Sequence, residues 1–139
     1  MITFILIIID QIVKYHISTH YLVGTSSVII PKFFNITYAD NTGAAFSILR
    51  NNTMLIIIIS FILLFVLYKY VFVGNKYNGV KMLILGGILS NLIDRVFRGY
   101  VIDYLDFNIF GYSFPIFNIA DICIVIGCVL FVFKTLDEK

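Results

Sequence analysis

Four stretches of the sequence, at about residues 1–22, 52–73, 80–96 and 117–133, are too apolar for water to be their common solvent. The second contains MLIIIISFILLFVLY without one charge. Each is ~17–22 residues long, near the ~20 that carry a helix across a ~30 Å hydrocarbon core. Composition agrees: 60% of the 139 residues are hydrophobic and 13% are charged, against roughly 25% charged in an average soluble domain. A globule this small leaves too much of its area exposed to hide that surface, and the same composition excludes disorder. The expected class is a membrane α-helical protein of one domain, residues 1–139, with four transmembrane helices. By periodicity the first stretch ranks lowest, because it holds Asp10, Gln11, Lys14, His16 and His20. Its start lacks the basic residues and cleavage site of a removable leader.

Lysines between the second and third stretches set the orientation. Lys69, Lys76 and Lys81 occur there without an acid, which marks that loop as cytoplasmic. Lys134 and Lys139 then fall on the same side, both termini are inside, and two stretches lie outside. The first, about 23–51, contains VIIPKFFNITYAD and reads as two short strands. The second, about 97–115, adds one or two more. A small extracytoplasmic β-sheet is expected on the bilayer surface, its edges covered by lipid headgroups or helix ends.

This topology gathers the polar residues at one depth. Asn91 lies ~15 Å into the third stretch and Arg95 ~21 Å along it, while Asp121 sits ~6 Å below the outer start of the fourth. Asn41, Gly43 and Asp103 stand in the outer stretches, and Asn118 is three residues before Asp121. Gly87, Asn91 and Arg95 recur every four residues and share one helix face. Gly86-Gly87 permits close approach of another helix or of a substrate backbone. Two carboxylates at one site cannot easily both ionise, so one keeps its proton. That arrangement suits an aspartyl dyad, in which one acid activates water and the other polarises a carbonyl. Spacing alone leaves a helix cap open for Asp121 and a solvated loop position open for Asp103 and Asp106. HExxH, GxSxG and a phosphate loop are missing from the sequence.

Other polar residues have plainer readings. Asp10 and Lys14 are spaced for a helical ion pair with the acid first, near the midplane, in a structural role. Asp94 does not face its neighbour Arg95 and is free to anchor a loop. His16 and His20 share a face at the outer interface. Cys123 and Cys128, five apart on one helix, cannot bridge. A net charge of +2 spread along the chain is no nucleic-acid footprint.

Five motifs in order resemble those of the lipoprotein signal peptidase (signal peptidase II) family. They are Asp10-Gln11-Ile12-Val13-Lys14; Asn41-Thr42-Gly43-Ala44-Ala45-Phe46; Gly86-Gly87-Ile88-Leu89-Ser90-Asn91-Leu92-Ile93-Asp94-Arg95; Val101-Ile102-Asp103-Tyr104; and Phe117-Asn118-Ile119-Ala120-Asp121. The resemblance implies four membrane helices and an outward β-cradle. It implies an aspartic endopeptidase that cuts diacylglyceryl-modified prolipoproteins just before the lipidated cysteine, without metal or cofactor. Asp103 and Asp121 match the catalytic pair, and Asn41, Gly43, Asn91, Arg95 and Asn118 match the substrate-binding residues. Asp10, Lys14, Gly87, Asp94 and Ala120 match supporting positions. Implied partners are prolipoproteins, membrane lipids and the cyclic peptide globomycin, with the protein acting as a monomer in the bacterial cytoplasmic membrane. Ser90 and Tyr104 depart from a usual Gly and Phe. Two other readings stay open: an ion-coupled transporter relaying through Asp10, Lys14 and Asp121, and a non-catalytic assembly subunit.

Overall fold

The computed structural model describes residues 1–43, 52–69 and 78–137. The elements run α1 (Ile2–His20), β1 (Ser26–Ile30), β2 (Phe34–Asn41), α2 (Thr53–Leu67), α3 (Asn78–Arg98), β3 (Val101–Ile109), β4 (Tyr112–Ser113) and α4 (Ile119–Leu136). Both expected outer stretches form strands, and β1-β2-β3-β4 make one antiparallel sheet in that order.

Polarity is inverted relative to a water-soluble protein. Lys14, Asp94 and Asn118 are 0% exposed, whereas Ile12, Phe61 and Val125 are 62%, 56% and 61% exposed. Charged groups are almost never fully buried unless paired, and an apolar exterior around a polar interior is what a hydrocarbon solvent selects. Two helices, α1 and α4, are long and apolar enough to cross a membrane, and α2 is a shorter apolar helix. The low rank of the first stretch is therefore corrected: its charged residues Asp10 and Lys14 turn inward, so its outward surface stays apolar as far as Tyr15, and exposed His16, Thr19 and His20 are confined to its end. Conversely α3, at 21 residues the longest helix among the described residues, carries the polar groups that the other helices pack around. Lys81, expected in a loop, lies inside α3 and is buried. Lys76, Lys139 and the run Ala44-Ala45-Phe46 fall outside the described residues.

The two adjacent glycines of α3 serve different neighbours. A Cβ at Gly86 would meet Leu6 of α1 at 3.2 Å, and one at Gly87 would run into the carbonyl oxygen of Ala120 in α4. These contacts bring α3 against both helices, so its next turn delivers Asn91 between them. Gly87→Ala forces α3 and α4 apart and is expected to cost roughly 1–3 kcal/mol, as overpacking does. Gly79→Ala, with nothing within 4 Å among the described residues, should not lower stability. Thermal unfolding of both variants in one detergent checks the difference.

The sheet closes over one end of the helices. Ile17 of α1 packs with Tyr38, Ile102 and Tyr104 in a buried cluster. Within the sheet Ala39 pairs with Asp103 and Asn41 with Val101. Asn41 and Asp103 are thus diagonal neighbours on one face, a separation side chains can span.

Candidate active site

Asp103 stands on β3 and is 2% exposed; Asp121 stands in the first turn of α4. Asn118 ties them together. Its Nδ2 donates to Asp103 Oδ1 at 2.7 Å, and its Oδ1 accepts the backbone N–H of Asp121 at 3.0 Å. The Asp121 Oδ2 in turn accepts the backbone N–H of Asn118 at 3.2 Å, completing a capping box. Asp121 is therefore a cap and part of the cluster at once.

The remaining carboxylate oxygens meet two further amides. Asn41 Nδ2 donates to Asp103 Oδ2 at 2.8 Å, and Asn91 Nδ2 donates to Asp121 Oδ1 at 2.8 Å. Each asparagine is oriented by a donor on its oxygen. Lys14 Nζ donates to Asn91 Oδ1 at 2.9 Å, and the backbone N–H of Gly43 donates to Asn41 Oδ1 at 2.9 Å. An ammonium has no acceptor, so the Asn91 oxygen must face Lys14 and its NH₂ must face Asp121. The same logic turns Asn41 and Asn118 toward Asp103. Aspartate at these positions would lack the donor.

Arg95 closes one side, donating to the Asn91 carbonyl at 3.3 Å and the Gly43 carbonyl at 3.1 Å. Both aspartates, Asn41, Asn91 and Arg95 line a cavity of about 550 Å³. Phe114, Val125 and Ile126 form part of its apolar wall. Burial, then the neighbouring Asp121, pushes the Asp103 carboxyl up to about 7, against the donors Asn41 and Asn118. No cluster of three or more His, Cys, Asp or Glu among the described residues could hold a metal ion.

Supporting residues form a second, drier network. Lys14 bridges Asp10 at 2.7 Å and Asp94 at 2.8 Å, and Arg98 also pairs with Asp94. Asp10 accepts from the Ser90 hydroxyl at 2.6 Å and from the backbone N–H of Ala120 at 3.2 Å. Ser90, the departure from Gly, thus fits its buried site by hydrogen bonding. Asp94 accepts the Ile102 N–H at 3.4 Å, which holds β3 to α3 as a loop anchor would. Tyr104, the departure from Phe, accepts the Ile119 N–H at 3.3 Å. Asp106 is not a solvated loop residue: it lies on β3, half-buried, and accepts from Thr37 at 2.7 Å and Asn35 at 3.2 Å across the sheet. His16 and His20 are exposed and stacked, 4.1 Å between ring centroids. Cys123 and Cys128 are both free.

Inverted polarity, a lid-like sheet and a buried polar cluster beneath it define a membrane enzyme, and the comparisons agree. A solved bacterial membrane enzyme, determined by the in meso method at 2.3 Å, superimposes with a TM-score of 0.89 at 41% identity, covering 99% of this chain and 86% of that one. A second, at 1.9 Å, gives 0.85 at 41% identity, covering 99% and 92%. Residues 2–137 match the family described as Signal peptidase (SPase) II. Lipoprotein signal peptidases of Staphylococcus aureus strains MRSA252 and JH9 are 41% and 40% identical over 99% of this chain and 87% of theirs. The chain belongs to the signal peptidase II family, and it is a membrane protease.

Proposed function

We propose that the chain is an aspartic endopeptidase that cuts the signal peptide from diacylglyceryl-modified prolipoproteins immediately before the lipidated cysteine. Asp103 and Asp121 are its catalytic pair. The observation that carries this reading is the convergence of both carboxylates on Asn118 at the wall of one cavity. Helices α1 to α4 all cross the bacterial cytoplasmic membrane, with both termini cytoplasmic and the site near the outer leaflet. The protein works as a monomer.

The leader peptide enters from the side. Val125 and Ile126 belong both to the cavity wall and to the exposed surface of α4, so acyl chains can remain in lipid while the peptide reaches the acids. Asn41, Gly43, Asn91, Arg95 and Asn118 hold the substrate and the acids in register, a form of catalysis by orientation. One ionised aspartate takes a proton from water, and the hydroxide adds to the scissile carbonyl. The other aspartate gives its proton to the carbonyl oxygen, producing a tetrahedral diol. Collapse returns a proton to the leaving cysteine amine and breaks the C–N bond, with no acyl-enzyme. The pair titrates as a unit.

An elevated Asp103 carries a pH signature. Its folded value of about 7 lies above its ordinary 3.8, so the folded state binds this proton more tightly than the unfolded chain. The resulting stabilisation is complete below the ordinary value and is lost as pH rises through about 7. Activity follows the same proton: kcat/KM should fall about tenfold per pH unit on the alkaline side. Cleavage rates from acid to mildly alkaline pH test this; a flat alkaline limb refutes a shared proton.

Incubating the purified protein with a lipidated prolipoprotein tests the activity itself. The lipidated precursor should shorten, the unlipidated precursor should persist, and globomycin should block the shortening. An intact lipidated precursor overturns the proposal.

A further inference from the structure

The end of the sheet remote from the aspartates has the wrong chemistry for water. The turns after β1 and β3 adjoin there: the Asn108 N–H donates to the Phe33 carbonyl at 2.8 Å, and the Phe33 and Phe107 rings lie 5.6 Å apart. Together they expose Ile30, Phe33, Ile109, Phe110 and Tyr112, with Phe110 at 106%. Turns that face solvent are ordinarily built from Gly, Asn, Asp, Pro and Ser. These turns contain Pro31 and Gly111, but beside them Lys32 and Phe110 stand at φ +62° and +52°, and among the described residues no other non-glycine has positive φ. The two-residue β3–β4 loop Phe110-Gly111 takes positive φ at both positions, as tight hairpin turns do, and where Asn or Gly is usual a fully exposed phenylalanine stands first.

This apolar end is continuous with the lipid-facing protein. Phe107 stacks on Phe117 at 5.7 Å, and Phe117 meets Phe114 edge-on at 5.7 Å. Phe114 shares the cavity wall with the exposed Val125 and Ile126 of α4. An aromatic row therefore leads from the cavity wall that α4 shares to the turn after β1, beside which the β3–β4 turn lies. Tyr112 and Lys32 add an amphipathic ring and one cation, the composition that seats at a bilayer interface.

We propose that these two turns dip into the outer leaflet, with Phe110 at the acyl boundary and Lys32 at the anionic phosphates. Docked there, they hold the Phe114 wall of the cavity at a fixed depth. This rests on the sheet lying on the outer face, as in the proposed function.

The chain has no tryptophan, so a single Trp reports its own surroundings. Phe110→Trp and, as reference, Ile59→Trp on the exposed face of α2 are reconstituted in phosphatidylcholine–phosphatidylglycerol vesicles. Phe110→Trp should emit to the blue, and shallow acyl-brominated lipid should remove about half of its intensity. Emission quenched by aqueous iodide and indifferent to brominated lipid overturns the docking. If Ile59→Trp is quenched by brominated lipid in that case, the helices are inserted and docking alone has failed. Prolipoprotein cleavage by both variants reports the proposed activity separately.

Discussion

Asp103→Asn and Asp121→Asn should each lower cleavage of a lipidated prolipoprotein by about 10³-fold, since general acid–base groups contribute about 10²–10⁴ and the addition step needs both acids at once. Fold should survive, because asparagine keeps the shape and one oxygen of the carboxyl group. At Asp103 the retained oxygen can still accept from Asn118 or Asn41, though the new NH₂ must face the other donor. Because one acid acts on the water and the other on the carbonyl, either loss stops the same step and should appear in kcat, with a modest fall in thermal midpoint. The two single losses should not multiply in the double variant, because groups that act as a unit are non-additive. A single variant that cleaves at near-normal rate in detergent removes that residue from the pair. A transporter relay through Asp10, Lys14 and Asp121 predicts otherwise, since prolipoprotein size would be indifferent to all of these changes.

Much of this site is legible in the sequence because membrane topology is a strong depth gauge. The expected topology and ~1.5 Å per residue put Asn91, Arg95 and Asp121 at one depth with the strands that carry Asn41 and Asp103, and the folded chain brings these five residues to one cavity. What spacing cannot supply is a partner from another element. Asp106 looks solvated when only its neighbours in the chain are known, yet register pairs β3 with β2 and brings it Thr37 and Asn35. Tyr104 looks like a mild change from Phe, yet its hydroxyl reaches the first turn of α4. Helix rank failed at the first stretch for a related reason: hydropathy averages a helix around its circumference, whereas α1 keeps its charges on one inward face. Lys14 shows the limit most clearly. Its i, i+4 partner Asp10 is visible in the sequence, but Asn91 and Asp94, far along the chain on α3, are not.

That hidden partnership makes Lys14→Met the larger stability experiment. Lys14 is 0% exposed and its three ammonium protons have three acceptors, on Asp10, Asp94 and Asn91. With Arg98, the cluster balances two acids against two bases. Removing Lys14 leaves an uncompensated carboxylate charge among α1, α3 and α4, and breaking a buried pair in this way costs about 3–5 kcal/mol. A fall in thermal midpoint on the order of 10 °C is expected in detergent. Lys14→Met also removes the donor that holds the Asn91 oxygen away from Asp121, so the surviving folded fraction should be catalytically slow. The companion variant Lys14→Met/Asp10→Asn separates the two effects. It restores charge balance and should recover part of the lost stability, while Asn91 still lacks its ammonium and cleavage stays low. Recovery of both together would mean that Lys14 only neutralises charge and does not orient the amide that faces Asp121.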